Sequence, residues 1–248
     1  MPADAQMLKV GLLIDSMIQP RWVRRVVETI QNSNCARVTL VVRNTTVATP
    51  PPSIRRWLSQ PEHVLYKVYT RLDDLAFRRE CRPDAFERVP IDDLLHGCPI
   101  LDVKPRRTRF SDFIEGEDLE AIKLATLDVA IRFGFRILRG KILETPRHGV
   151  WSYHHGDNRR YRGAPAGFWE VMRGDDVTGS ILQILGAELD NGKVIYRSFA
   201  PTDKRSVRRN KNNYYWKSSD FVIRKLRDVA EKGVTAMRSD DQQGAFSA

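Results

Sequence analysis

Cysteine is scarce in this sequence: 248 residues contain three, Cys35, Cys81 and Cys98. They lie far apart and form no C-x-x-C pair, so neither a disulfide framework nor a zinc site is expected. No run of eighteen apolar residues occurs, which excludes a transmembrane helix. Met1 to Gln6 lacks the charged-then-apolar order of a secretory signal, and a cytoplasmic location is the expectation. No basic tail of five or six consecutive charges is present. The first apolar strand is not followed by G-x-G-x-x-G, so a nicotinamide dinucleotide is not expected. There is no internal repeat and no low-complexity segment.

Hydrophobic residues make up 42% of the chain. That is enough for one large domain or two small ones with a full core, and it is not a disordered composition. Lys and Arg outnumber Asp and Glu, 41 to 31, for a net charge of +10. An excess of this size favours anionic partners: nucleic acid, phosphorylated metabolites, anionic cofactors or a membrane surface. Charge alone does not choose among them.

The opening reads as βαβ. Leu8 to Asp15 is a buried strand, Pro20 marks a helix start, and Trp22, Val23, Val26, Val27 and Ile30 follow at helical spacing. Arg37 to Arg43 is the second strand, giving the start of a Rossmann-like sheet. Pro50 to Pro52 interrupt this order, and Ile54 to Arg79 reads as one or two helices inserted at the periphery. Further strands are expected at Pro99 to Lys104, Leu127 to Arg132, Gly149 to Tyr153, Thr178 to Leu185 and Lys193 to Phe199. Helices are expected at Leu119 to Ala125, after Pro165, and at Ser218 to Lys232. The segment Arg205 to Lys217 mixes cations with aromatics. It reads chiefly as a solvated loop whose aromatics cap the core, with a phosphate or nucleic-acid contact as the other readings.

Gly149 to Ile195 carries the chemistry. A strand ends in Ser152-Tyr153-His154-His155, and a later strand runs into Leu189-Asp190-Asn191-Gly192. A His at one strand end and an Asp in a neighbouring loop can form a proton-transfer pair. By alternation Ser152 and His154 share one face of the strand and His155 takes the other. Ser, His and Asp together also admit a serine nucleophile, but no G-x-S-x-G elbow supports it. His154, His155, Asp157 and Asp190 admit a metal, but H-H-x-D has no dedicated ligand spacing.

Four motifs in order add a resemblance. They are Gly134-Phe135-Arg136-Ile137-Leu138, Ser152-Tyr153-His154 with Gly163 downstream, Arg173-Gly174-Asp175-Asp176-Val177-Thr178-Gly179, and Glu188-Leu189-Asp190-Asn191-Gly192-Lys193-Val194-Ile195. This series resembles the folate-dependent formyltransferases, over roughly two thirds of the chain. The family has Asn where this chain has Ser152, and its S-L-L-P after the His is here Gly156-Asp157-Asn158-Arg159. The Asp loop carries one extra residue, and Pro50 to Glu80 has no counterpart.

The resemblance implies an α/β Rossmann-like formyltransferase fold: a central, mostly parallel sheet flanked by helices, with a helical insertion at about 50–80. It implies a single domain over 1–235, and composition suggests a flexible tail over 236–248. The implied activity is N-formyl transfer from 10-formyltetrahydrofolate, as co-substrate, to a primary amine. His154, Asp190 and Ser152 would be catalytic. Phe135, Arg136, Ile137, Leu138 and Glu188 would bind the folate, largely through the main chain. His155, Asn158 and Arg162 would bind the acceptor. The chain ends before the C-terminal domain of the tRNA-directed enzymes would begin. A small anionic acceptor, such as a nucleotide-linked amino sugar, is therefore expected over nucleic acid. The alternatives are a formyl-folate hydrolase and a binding module that keeps the fold without turnover.

Overall fold

The apolar run Leu8–Ile14 (β1) sits between two parallel neighbours, and the rest of the molecule is arranged around it. A computed structural model of the chain describes residues 7–46, 61–161, 165–187, 192–233 and 235, with backbone only at 61–63. The remaining strands are β2 (Ile18–Pro20), β3 (Ala36–Asn44), β4 (Arg88–Pro90), β5 (Ile100–Val103), β6 (Arg106–Arg107), β7 (Ser111–Phe113), β8 (Val129–Arg132), β9 (Ile137–Arg139), β10 (Val150–His154), β11 (Val177–Ile184) and β12 (Lys193–Pro201). The helices are α1 (Arg21–Gln31), α2 (Pro61–Phe77), α3 (Gly116–Leu124), α4 (Phe168–Arg173), α5 (Val207–Ser218) and α6 (Phe221–Lys232).

Seven strands form the central sheet in the order β12-β11-β10-β8-β1-β3-β5. The five strands from β10 to β5 pair in parallel, while β11 and β12 are antiparallel. This is the mostly parallel, helix-flanked α/β sheet expected from the sequence. Burial on both faces explains why its strands read as continuous apolar runs. Val10, Leu12, Ile14, Val129, Ile131 and Trp151 pack on one side with α1 and α6. Leu13, Leu40, Val42, Ala130 and Val150 pack on the other with Leu119 and Ile122 of α3. The chain leaves β1 first towards β3 and later returns to β8 on the opposite side. Such a switch in strand order opens a crevice at the strands' carboxyl ends.

Trp22, Val23, Val26, Val27 and Ile30 are all buried, as their spacing predicts. The inserted segment is helical where described: α2 leans on α4 and α5, with Tyr66 and Tyr69 edge-on to Phe168. The Arg208 backbone N–H donates to Asp73 there (2.7 Å). Residues 54–60 and the 236–248 tail lie outside the described residues. Among the described residues no helix is long and apolar enough to cross a membrane.

One expectation is corrected. Arg205 to Lys217 is not a loop; Val207–Ser218 is the helix α5, capped by Ser206, whose Oγ accepts from the Arg209 N–H at 3.2 Å. Its buried face is mixed, with Asn210, Asn212 and Ser218 beside Val207 and Tyr214, which weakens the apolar period. Asn210 is fully buried; its Oδ1 accepts from the Asp203 N–H and its Nδ2 donates to Gly167 O and Thr178 Oγ1. Asn212 accepts from the Ala85 N–H at 2.8 Å. Satisfied buried amides hold this helix together with the apolar contacts of Val207 and Tyr214.

Candidate active site

Three strand ends meet at the crevice: β1 at Asp15, β8 at Arg132 and β10 at His154. The turn after β8 is tied to the end of β1. The Phe135 N–H donates to Asp15 Oδ1 at 2.9 Å, and the Asn44 side-chain amide donates to the same oxygen at 3.1 Å. Gly134 is required there, because a Cβ would lie 2.5 Å from the Asp15 backbone nitrogen. Phe135 itself adopts φ +66°, a left-handed conformation that costs a non-glycine residue energy and persists only when its surroundings hold it.

Arg136 anchors the far side of the turn. Its backbone N–H and its guanidinium both donate to Asp112, a carboxylate with no solvent exposure. The side chain is engaged with Asp112 and with the carbonyls of Thr108 and Ser111. Ile137 and Leu138 then enter β9, parallel to β7.

Ser152 and His154 lie on the same face of β10. Together with Arg132, Ile137, Arg139 and Gln183 they line a cavity of about 180 Å3. His154 Nε2 stands 3.2 Å from the Tyr161 carbonyl oxygen. As donor to that carbonyl, Nε2 carries the proton, and Nδ1 is left as the basic nitrogen. Ser152 is almost fully buried, and its Oγ accepts from Arg132 Nη1 at 3.0 Å. Asp190, Glu188 and Arg162 lie outside the described residues. Ala187 and Gly192, the described neighbours of the Asp loop, both line the cavity.

Two predicted acceptor-binding residues are placed elsewhere. His155 points to the opposite face, as alternation requires, and is enclosed by Trp22, Tyr153, Tyr214 and Tyr215, stacked 3.7 Å from the last. Neither of its ring nitrogens has a hydrogen-bond partner among the described residues. Burial, reinforced by His154 and Lys211, pushes its pKa down to about 3, so it is a neutral packing group. Asn158 accepts through Oδ1 from Arg197 Nη2 (2.9 Å), next to the Arg197–Asp157 ion pair (2.8 Å). It holds the loop after β10 and is not in the cavity wall.

Arg132 was not singled out by the sequence reading. The available signal was a cation closing the otherwise apolar strand Val129–Arg132. Burial lowers its pKa, against the pull of Asp15 and Asp112. A larger groove of about 860 Å3 runs between α1 and Trp216. None of its lining residues belongs to a central strand, and Arg24 there is paired with Asp93 (2.6 Å) and Glu28 (3.0 Å). The smaller cavity, at the strands' carboxyl ends, is therefore the candidate site. Among the described residues no group of three His, Cys, Asp or Glu side chains could hold a metal ion.

No protein-family model matches the chain. The chain is 30% identical over 156 residues to a methionyl-tRNA formyltransferase of Mycobacterium avium, covering 61% of this chain and 46% of that protein. It is 25% identical over 198 residues to that of a Cyanothece species, covering 79% of this chain and 57% of the relative. The chain spans about half the length of the curated relatives it matches. Among solved structures, glycinamide ribonucleotide transformylase 1 of Symbiobacterium toebii superposes with a TM-score of 0.58 at 16% identity, covering 91% of this chain and 88% of that one. A formyltetrahydrofolate deformylase of Pseudomonas syringae pv. tomato gives 0.58 at 15%, covering 92% of this chain and 62% of that one. The chain has the fold of these solved structures and is similar in sequence to methionyl-tRNA formyltransferases.

Proposed function

We propose that this protein transfers a formyl group from 10-formyltetrahydrofolate to a primary amine. The observation that carries this reading is the cavity at the ends of β8 and β10, bounded by Ile137 and Leu138 and by Ser152 and His154. At about 180 Å3 it falls below the 300–1,000 Å3 usual for a drug-sized ligand. It suits the ring and formyl end of the donor, with the rest of the folate outside. Phe135, Ile137 and Leu138 would frame the ring, with Glu188 adding main-chain contacts.

Attack of the amine nitrogen on the formyl carbon forms the new C–N bond and moves the carbonyl electron pair onto oxygen. Collapse returns that pair and breaks the bond to N10 of the folate. The amine loses a proton and N10 gains one. His154, oriented by the Tyr161 carbonyl, is suited to this proton traffic and to the oxyanion. Asp190 is assigned the partner role by its motif. A nucleotide-linked amino sugar is the acceptor we favour, because Arg132 and Arg139 give the cavity a positive lining. Arg162, from its motif position, would help hold it.

Calorimetric titration with 5-formyltetrahydrofolate, followed by an amine panel with the formyl donor, tests the proposal. Micromolar binding and N-formyl product are expected. Formate release without an amine would assign a hydrolase instead, and absence of folate binding would end the reading.

A further inference from the structure

We infer that Arg132 is a catalytic residue of this site, donating to the oxyanion from the position beside Ser152. The inference rests on the formyl-transfer reading.

Arg132 and Ser152 are register partners on the adjacent parallel strands β8 and β10, so their side chains rise from the same face of the sheet. Ser152 Oγ accepts from Arg132 Nη1 at 3.0 Å, which sets a guanidinium beside it. Arg132 Nη2 donates to the Phe135 carbonyl at 3.3 Å, so the turn that frames the donor also orients the fork. Both Arg132 and His154 line the cavity, with Ser152 beside them.

The guanidinium is costly where it stands. No carboxylate among the described residues lies within ion-pairing distance of it, and its Nε is buried without a partner. Asp15 and Asp112 act on it only through space. A half-buried cation with unused N–H groups on a cavity wall is placed to meet negative charge that develops there. A developing oxyanion brings that charge. Five N–H groups are available, and two are taken by Ser152 and Phe135. Attack on the formyl carbon moves the carbonyl pair onto oxygen, which accepts from Nη. Collapse returns the pair, expels N10 of the folate, and leaves the guanidinium protonated throughout. Arg132 transfers no proton; the amine proton leaves through His154.

The test compares wild type, Arg132→Gln, Arg132→Lys and Ser152→Ala, each checked for a cooperative melt. 5-Formyltetrahydrofolate binding is measured first. Turnover of 10-formyltetrahydrofolate follows, with water and with a nucleotide-linked amino sugar as acceptor; both routes pass through the same oxyanion. Arg132→Gln should lower turnover about 10²- to 10³-fold with donor affinity within threefold of wild type. Ser152→Ala should cost less than tenfold. Arg132→Lys should keep partial activity but acquire an alkaline limb absent from wild type, because a buried ammonium loses its proton at lower pH than a guanidinium. Wild-type turnover in Arg132→Gln would overturn the inference and leave the formyl-transfer reading intact. If Arg132→Gln fails to fold, the pH profile of Arg132→Lys decides, and a profile like wild type overturns it. Failure of the wild type to bind the folate would overturn both.

Discussion

The Phe135 backbone N–H donates to Asp15 Oδ1 at 2.9 Å, joining two residues 120 positions apart. One carboxylate closes the end of β1, holds a left-handed turn, and faces the Arg132 charge through space. Asp15→Ala would leave the Phe135 N–H and the Asn44 amide without their acceptor. The expected cost is about 2–4 kcal/mol, read from urea unfolding, together with loss of folate binding. Asp15→Asn keeps an accepting oxygen and should cost less than half of that. Equal losses in both variants would mean that the hydrogen bond is not what holds the turn.

His154 is the side chain whose removal should separate activity from folding. His154→Gln keeps a polar group on β10 and should leave the melting temperature within a few degrees. Turnover of the formyl donor should fall about 10²- to 10⁴-fold. Asp190→Asn, chosen on its motif alone, should likewise cost activity far more than stability. Parallel losses of folding and turnover would count against either assignment.

His155 makes a prediction in pH. Its folded pKa of about 3 lies below the ordinary value of 6.5. Between these values the unfolded chain binds a proton that the native protein refuses, so stability falls as pH drops below 6.5. The slope for this one group approaches about 1.4 kcal/mol per pH unit. His154 and Lys211 are the charges that act on it. His155→Phe fits an aromatic enclosure and should flatten the acid limb of a urea-midpoint profile between pH 6.5 and 4.5. An unchanged limb would assign the acid sensitivity to other groups.

Asn210 predicts a structural loss at a distance from the cavity. Asn210→Ala removes the acceptor of the Asp203 N–H and the donor to Gly167 O inside a buried interface. About 2–4 kcal/mol of stability should be lost in denaturant unfolding. Folate affinity should change little in the protein that remains folded.

Much of the sheet is legible in the chain itself. Leu8–Ile14, Ala36–Asn44 and Val129–Arg132 are apolar runs because both faces of a parallel sheet are covered. The alternation along β10 assigned Ser152 and His154 to one face and His155 to the other. These features are local: each follows from side-chain size, period or backbone sterics within a few residues.

Tertiary structure alone decided the rest, because it turned on pairings between distant residues. Val207–Ser218 is a helix that buries Asn210 and Asn212 beside Val207 and Tyr214, and only the partners at Thr178, Asp203 and Ala85 make burial of the amides favourable. His155 could be assigned a side of the strand but not its cage, which Trp22 and Tyr215 bring from opposite ends of the chain. Arg132 read as the end of a core strand. Its meeting with Ser152 depends on the register of β8 against β10, a hydrogen-bond pairing that no sequence window contains.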